Sequence, residues 1–340
     1  MSNMTSQAAA ELDLAIIGAL QLNPRADWAD LAEALQYSPK TLARRWKLLS
    51  ESGSAWIAVA PGPTFLQFGC AAWLAITCRP QSKHDVAEAL IAEPAVDTVS
   101  STSGTSDFHV IVFVSSIADL TRLLTDRIEV IEGIRSVATT VVLTNYTEGA
   151  RWRVQALDVE QANLLQLPQA APTRRKTIPF LDDLDRSLLG ALAKDGRQAW
   201  TTLGEQCDVT GPTARRRVER LIDGGHVALR CEGANTLVGP VVETTFMITT
   251  APSELNTVGN LLSRIPKCRI ANATTGTSTI VATMWFQTIS EIAPFAAALT
   301  RELPSITISD RFISLHTFKR AGHVLDQDGR TTGLIPRAIF

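Results

Sequence analysis

The stretch "SPKTLARRWKLLSESG" occupies residues 38–53, and "TGPTARRRVERLIDGG" occupies residues 210–225. Both are short, dense in arginine and closed by glycine. When residues 12–53 are set against residues 184–225 without a gap, 14 of 42 positions are identical. Self-similarity over this length indicates a repeated structural unit. The sequence therefore predicts two copies of one architecture within a single chain.

Each copy opens with a unit of three short helices. Apolar residues at helical spacing predict a first amphipathic helix near residues 12–20, and again near 184–192. In the third helix, Ser38 followed by Pro39 suits the N-cap and the first helical position, and Gly53 suits the left-handed residue that ends it. Three helices with a tight turn between the last two form a helix-turn-helix unit.

The pattern after each unit predicts an alternating arrangement of strands and helices. In the first copy we expect strands at 70–77, 95–102, 107–114 and 134–145, with helices near 83–92 and 117–128. In the second copy we expect strands at 242–249, 268–274, 279–286 and 305–317, with helices near 253–264 and 289–302. The order βαββαβ is that of a ferredoxin-like domain.

The predicted strand at 107–114 is apolar on both alternating faces. Because helices cover only one side of such a sheet, its other side must be covered as well, most simply by a second sheet of the same kind. We place Val112 on the side away from the helices. The two sheets are expected to meet either within one chain or between chains.

The predicted fold class is α+β, with two winged helix-turn-helix domains that are each followed by a ferredoxin-like βαββαβ effector domain. The expected boundaries are 1–60 and 64–148 for the first pair, 149–180 for a linker, 181–232 and 236–320 for the second pair, and 321–340 for a C-terminal tail. The linker assignment rests on "QLPQAAPTRRKTIP" (166–179), which is rich in Pro, Ala and Gln and lacks an apolar period.

Composition excludes several classes of protein. The chain has 340 residues, and 32 Lys and Arg nearly cancel 34 Asp and Glu, so any affinity for nucleic acid must come from local clustering. The N-terminal residues lack the features of a secretory signal, and the longest apolar stretch (70–78) is too short to cross a membrane. We expect a cytoplasmic protein. Five cysteines without a CxxC pair argue against a zinc site and a disulfide framework.

The second copy resembles the start of the leucine-responsive regulator (Lrp/AsnC) family of bacterial and archaeal transcription factors. The resemblance rests on "LDDLD" (181–185), "DGR" (195–197) and an arginine-rich third helix that ends in glycine, followed by the βαββαβ pattern. The first copy keeps "ELD" (11–13) but has Asn23 and Pro24 in place of the "DG". Members of the family usually carry one such unit and associate through their effector-domain sheets. The resemblance implies a regulator that binds double-stranded DNA and a small-molecule effector, with self-association through those sheets.

The third helices carry the candidate DNA contacts. A recognition helix places its N-terminal residues at the base edges of the major groove, while flanking Lys and Arg meet phosphates. We therefore expect Ser38, Lys40, Thr41, Arg44, Thr210, Thr213, Arg215 and Arg216 nearest the bases. Arg45, Lys47, Arg217 and Arg220 are expected nearer the backbone or in structural roles. The alternative is a solvated basic helix face.

The candidate effector site is the loop between the second and third effector strands, which the resemblance suggests for an amino acid or related metabolite. Its residues are Ser103, Gly104, Thr105 and Asp107 in the first copy and Thr275, Gly276, Thr277 and Thr279 in the second. The glycines would let the backbone approach a ligand closely, the hydroxyls could bind its polar groups, and Asp107 could pair with an ammonium group. The alternative is an ordinary tight turn.

Other residues support no catalytic or metal site and no cofactor. Trp28 and Trp200 occupy the same point of the second helices and are expected to be packing anchors. His109 lies in a predicted strand without a second ligand at metal-binding spacing. Nucleophile triads and nucleotide-binding loops are not evident, so we expect a protein that is not an enzyme. The alternative is a siroheme decarboxylase-like enzyme, a family with the same tandem plan, for which only His109 could stand in as a site residue.

Overall fold

A computed structural model describes residues 2–147, 154, 156–165, 181–239 and 241–337. Its helices are α1 (Ser2–Leu22), α2 (Trp28–Leu35), α3 (Pro39–Glu51), α4 (Lys83–Ala92), α5 (Ile117–Leu123), α6 (Val159–Leu165), α7 (Asp183–Lys194), α8 (Trp200–Gln206), α9 (Gly211–Asp223), α10 (Asn235–Val238), α11 (Leu255–Leu262) and α12 (Ile292–Glu302). Its strands are β1 (Ala55–Pro61), β2 (Cys70–Cys78), β3 (Val96–Thr102), β4 (Phe108–Val114), β5 (Ile134–Thr147), β6 (Val227–Gly233), β7 (Val242–Thr249), β8 (Cys268–Thr274), β9 (Ile280–Phe286), β10 (Thr307–Arg320), β11 (His323–Leu325) and β12 (Thr331–Leu334).

The third helix of the first helix-turn-helix unit has the N-cap that the sequence predicts, and the third helix of the second unit has an equivalent cap. Ser38 caps α3 by accepting a hydrogen bond from the backbone N–H of Thr41 at 3.1 Å, and Thr210 caps α9 in the same way. Gly53 and Gly225 end the two helices with positive φ angles of 66° and 71°. Each helix buries an apolar stripe against the other helices of its unit.

The two effector domains have the predicted βαββαβ order, and their last strands are exchanged. The first half of β5 pairs with β2 of its own domain, and its second half pairs with β8 of the other domain. The first half of β10 pairs with β7, and its second half pairs with β3. These pairings close eight strands into one barrel-like sandwich, in the order β10-β3-β4-β2-β5-β8-β9-β7 and back to β10. Each of the eight strands therefore pairs with a strand on both sides over at least part of its length.

The two effector sheets cover each other within one chain. Trp73, Val142 and Val281 form a buried apolar cluster between the sheets, with Ile111 and Phe113 packed against it. This arrangement confirms the predicted sheet-on-sheet contact in its intramolecular form. Self-association of whole chains stays a prediction.

The predicted position of Val112 is wrong. In β4, Phe108, Val110, Val112 and Val114 face the helices and are buried with residues of α4 and α5. The side chains that face the other sheet are those of His109, Ile111 and Phe113. Strand alternation fixes two faces, but it does not say which of two apolar faces lies under the helices.

Two segments that were expected to be a linker and a tail contain secondary structure. Within 149–180, α6 places Leu165 against the core of the first helix-turn-helix unit. The linker stretch 166–179, including "TRRK" at 173–176, lies outside the described residues. Within 321–340, β11 and β12 form a hairpin, and the backbone N–H of Thr331 in β12 donates to the carbonyl of Gly53 at 2.9 Å. The described part of the chain has no helix with the length and apolar character needed to cross a membrane.

A hydrogen bond between the sheets provides a test of the fold. The indole N–H of Trp73 donates to Oδ1 of Asn272 at 3.1 Å in a buried setting. Trp73→Phe is therefore expected to lower the free energy of unfolding by about 1–3 kcal/mol more than Trp56→Phe. Trp56 is the matched control, since it is equally buried but its Nε1 donates to no described residue. Urea denaturation would measure the difference, and equal losses would contradict it.

Candidate DNA interface and inter-sheet cavity

Some of the predicted DNA contacts anchor the third helices to the first. Arg45 in α3 donates from Nε to Oδ1 of the buried Asp13 at 2.8 Å. In the second unit, Arg217 and Arg220 of α9 approach the buried carboxylate of Asp185 at 3.2 and 2.8 Å. Because a buried carboxylate needs charged or polar partners, these arginines have a structural role.

The remaining basic side chains of the third helices are exposed. Lys40, Arg44 and Arg216 form no ion pair with a described residue. Lys47 lies 3.7 Å from Glu51 and Arg215 lies 2.7 Å from Glu219, both as solvent-exposed pairs one helical turn apart. Such pairs contribute little to stability and exchange readily for another anion. Exposed cations therefore line the accessible sides of α3 and α9.

The four hydroxyl side chains that were predicted to contact DNA bond to one another in pairs at the starts of these helices. The Ser38 and Thr41 hydroxyl oxygens are 2.8 Å apart, and those of Thr210 and Thr213 are 2.9 Å apart. Together with the backbone caps, these bonds fix the first turn of each third helix. The side chains remain on the exposed ends of the helices, where they retain free acceptor capacity.

A reciprocal clasp joins the two helix-turn-helix units. The guanidinium of Arg25 lies 3.6 Å from the ring centroid of Trp200 and donates to the carbonyls of Gly196 and Gln198 at 2.7 and 2.8 Å. Arg197 makes the mirror contact on Trp28, at 4.2 Å, and donates to the carbonyls of Pro24 and Ala26 at 2.8 and 2.7 Å. The two tryptophans are therefore contact points between units as well as packing residues.

The electrostatic setting of the clasp is that of a buried interface. Burial, and then the nearby Arg197, lowers the pKa of Arg25 to about 10. Burial likewise lowers the pKa of Arg197 to about 10. Both guanidinium groups therefore remain charged at neutral pH, where each is held by carbonyl oxygens and an aromatic face.

A two-stranded ribbon adds a second connection between the units. Strands β1 and β6 follow the two third helices and pair antiparallel, with Ala55 opposite Gly233 and Pro61 opposite Val227. The register is centred where Ala58 lies opposite Arg230. Because each strand begins within a few residues of its third helix, the ribbon and the clasp together fix how α3 and α9 are related.

The two predicted effector loops turn as expected at their glycines. Gly104 and Gly276 have φ angles of 105° and 97°, which glycine adopts without strain. Thr105, in the first loop, is exposed. Thr277, in the second, accepts a hydrogen bond at its carbonyl from the Thr249 hydroxyl at 3.1 Å. The loops are therefore open turns at the seam between the two sheets.

Most polar side chains of these loops already have protein partners. Asp107 accepts a hydrogen bond from the backbone N–H of Cys78 at 2.7 Å and pairs with Lys83 at 2.5 Å. Thr279 accepts from the backbone N–H of Thr250 at 3.0 Å. Ser103 and Thr275 accept, at 2.9 and 3.0 Å, from backbone N–H groups of the exchanged strands. These four residues stabilise the sandwich.

Sequence reasoning missed a cavity between the two effector sheets. The centre of a water-sized sphere can occupy about 110 Å³ of this cavity, which is partly open to solvent. Its apolar walls include Trp73, Ile111 and Phe113, and its charged residues include Arg230 and Arg269. The signal in the sequence was the polar side chains that alternate with apolar ones in β6, β7 and β8.

Three buried or nearly buried acids around the cavity pair with arginines. Nη2 of Arg269 donates to both carboxylate oxygens of Glu232 at 2.7 Å, and Arg320 donates to Glu243 at 3.2 Å. Arg337 lies 2.8 Å from Asp97. Burial alone would raise the pKa of Glu232, but the guanidinium groups of Arg269 and Arg230 hold it well below its usual range.

His109 faces this cavity from β4. Its ring stacks on Phe312 with centroids 3.9 Å apart, and its buried Nδ1 has no hydrogen-bond partner among the described residues. Burial lowers the pKa of His109 to about 4. The imidazole is therefore neutral at physiological pH and available to a ligand as donor or acceptor.

Family models match both parts of this architecture. The Lrp/AsnC ligand binding domain matches residues 71–152, and the AsnC-type helix-turn-helix domain matches residues 11–50 and 181–222. The chain carries AsnC-type helix-turn-helix domains and an Lrp/AsnC ligand-binding domain.

Known proteins resemble the chain in part or over nearly its whole length. An uncharacterized HTH-type transcriptional regulator of Pyrococcus abyssi is 27% identical over 133 residues, which cover 39% of this chain and 84% of the relative. A similar regulator of Pyrococcus furiosus is 29% identical, covering 39% and 90%. The crystal structure of the siroheme decarboxylase NirDL superposes with a TM-score of 0.56 at 14% identity and covers 92% of both chains. That similarity establishes a shared fold.

The matched regions contain most of the predicted site residues. The two AsnC-type matches include α3 up to Ser50 and almost all of α9, with their exposed cations. The ligand-binding domain match contains the Gly104 loop, Trp73 and His109. Among the charged residues that line the cavity, Asp97 lies within the matched ligand-binding domain, whereas the others lie outside it: Arg230, Glu243, Arg269 and Arg320.

The low pKa of His109 predicts a pH dependence of stability. The unfolded chain binds this proton near pH 6.5 and the folded chain near pH 4, so the unfolded state holds more protons between these values. Stability is therefore expected to fall as pH decreases from about 6.5 to about 4, by up to roughly 3 kcal/mol from this group. His109→Phe should remove that part of the loss in denaturation curves measured across the window. An unchanged pH dependence in the variant would contradict a neutral His109 with a buried Nδ1.

Proposed function

We propose that this protein is a transcriptional regulator that binds double-stranded DNA through α3 and α9 and responds to a small-molecule effector. The AsnC-type domains and the regulators among its relatives support a regulator. The observation that carries the DNA interface is the separation of roles in the third helices: Arg45, Arg217 and Arg220 anchor the helices, while Lys40, Arg44 and Arg216 are exposed without an acidic partner among the described residues.

The proposal includes a tandem duplication, so that one chain supplies the pair of units that two subunits would otherwise supply. The two halves of the strand exchange are equivalent. Val142 lies opposite Thr274 in one half, and Ser314 lies opposite Thr102 in the other, where Ser314 and Thr274 are the residues 172 positions after Val142 and Thr102. The two recognition helices would then read half-sites about 10 to 10.5 base pairs apart, or a multiple of that spacing. Because α3 has Lys40 where α9 has Pro212, the half-sites would be imperfectly related. Such a protein would act in the cytoplasm.

The effector in this proposal is a small molecule, and an amino acid or related metabolite follows from the resemblance to the family. The Gly104 and Gly276 loops are one candidate position for it. Asp107 would have to give up Lys83 to bind a ligand ammonium group, while Thr279 has no charge to offer. The first loop is therefore the better of the two.

A second candidate function is a siroheme decarboxylase-like enzyme, which the nearly complete fold match and the neutral His109 in the cavity favour. Incubation with siroheme under anaerobic conditions, followed by mass spectrometry, would detect loss of carboxylate groups. Turnover that His109→Phe abolishes would support the enzyme. Unchanged siroheme together with specific DNA binding would support the regulator.

The first prediction of the regulator concerns the exposed arginines. Arg44→Ala combined with Arg216→Ala is expected to weaken binding to DNA selected by repeated enrichment on the protein, and to reduce the slope of log affinity against log salt by about 2 if both contact phosphates. Arg264→Ala with Arg301→Ala, two exposed arginines of the second effector domain, is the charge-matched control. Fluorescence anisotropy would measure both, and wild-type affinity in the Arg44 and Arg216 variant would exclude this interface.

The second prediction concerns the clasp. Arg25→Lys with Arg197→Lys keeps both charges but removes the forked donors and weakens ring stacking. The preference for DNA with two correctly spaced half-sites over DNA with one half-site should then fall, because the recognition helices are no longer held in register. Affinity for a single half-site should stay close to wild type. An unchanged preference would mean that the β1–β6 ribbon alone sets the register.

A further inference from the structure

The repeat makes the inter-sheet cavity unusual, because its charged end breaks the internal symmetry. At the offset of 172, Arg230 corresponds to Ala58, Glu232 to Ala60 and Glu243 to Ala71. The fold therefore forms these positions without charge in the first copy. Charged groups removed from water are costly even when paired, so a fold that tolerates alanine does not require them for stability. Because these charged groups are present in the second copy and not at the equivalent positions of the first, they indicate a ligand site.

Among the three arginines that line the cavity, Arg230 is the one without a hydrogen bond to a described side chain. Its side chain is 12% exposed and lines the cavity, and its nearest acid is Glu232, at 3.8 Å from its Nε. Glu232 is already bound by Arg269 through both carboxylate oxygens. Among the described residues, no acceptor takes a hydrogen bond from the Arg230 guanidinium. A desolvated guanidinium in this state favours the binding of one anion.

The rest of the cavity defines the body of that anion. Trp73, Ile111 and Phe113 provide an aromatic and aliphatic wall, while His109 offers a neutral imidazole whose buried Nδ1 has no hydrogen-bond partner among the described residues. One guanidinium without hydrogen bonds, in a cavity that also has an apolar wall, suits one carboxylate on an apolar or aromatic body. A phosphate dianion would leave a second negative charge beside Glu232 and Glu243, so the carboxylate is favoured.

We infer that the inter-sheet cavity binds a small amphipathic monocarboxylate, with its carboxylate on Arg230 and its apolar body against Trp73, Ile111 and Phe113. This ligand would contact the ribbon directly, because Arg230 belongs to β6, which begins four residues after the end of α9. Occupancy of the cavity would thereby act on the strand that connects the two recognition helices. The ligand site stands independently of DNA binding, and only its role as an effector site rests on the proposed function.

Isothermal titration calorimetry without DNA tests the site, with indole-3-propionate as the probe and its neutral amide as the matched ligand. The acid is expected to bind the wild type at least about tenfold more tightly than the amide, and Arg230→Gln should remove that difference. Arg264→Gln, at an exposed arginine, is the matched control and should bind as the wild type does. Ile111→Trp, which fills the apolar end, should weaken both probes.

Thermal unfolding separates a binding role from a structural one. Arg230 makes only a long ion pair with Glu232, whereas Arg269 binds both carboxylate oxygens, so Arg230→Gln should lower the melting temperature less than Arg269→Gln does. An equal fall in the two variants would show that Arg230 stabilises the fold and would overturn the inference. So would the absence of binding at millimolar probe, or binding that Asp107→Asn weakens and Arg230→Gln does not. Binding of the acid at Arg230 by a chain that fails to bind DNA would support this site and reject the regulator.

Discussion

The exchange of strands β5 and β10 is the constraint on which the rest of the structure depends. The first half of each strand pairs within its own sheet, and the second half pairs with the sheet of the other domain. Neither effector domain therefore completes its backbone hydrogen bonding alone. Ser103 and Thr275 reinforce the two crossover points by accepting bonds from the partner domain's strand. Closure of the barrel brings the two sheets face to face, and the cavity is the space that their side chains leave unfilled.

The sequence was informative wherever a structural feature depends on neighbouring residues. The helix cap at Ser38, the left-handed Gly53 and the βαββαβ order all follow from local chemistry, and they lie where they were predicted. Features that depend on distant pairing were not accessible. The face of β4 that carries Val112 was misassigned because both faces are apolar. The clasp was missed because Arg25 and Trp200 are far apart in the chain, although the recurrence of both residue types in each copy was visible.

The repeat also explains why the cavity escaped sequence reasoning. Self-comparison draws attention to what the copies share, whereas the cavity depends on where they differ. Arg230 stands where the first copy has Ala58, and Arg269 stands where it has Asp97, so the charged cluster is invisible to a search for identities. Identities in this chain, such as Arg25 with Arg197, mark what holds the halves together. The differences mark where one half has become specialised.

These observations lead to a consistent view of how the parts communicate. The C-terminal hairpin bonds to Gly53 at the end of α3, packs His323 against Trp56 of the ribbon, and continues to Arg337, which pairs with Asp97 at the cavity. The ribbon itself carries Arg230 into the cavity and follows directly on α9. The third helices are thus connected to the cavity, α9 through β6, which carries the lining residue Arg230, and α3 through the hairpin, which leads to the pair of Arg337 with the lining residue Asp97. Because packed elements of this kind shift between discrete arrangements more readily than they deform, a ligand that moves Arg230 would change both connections together.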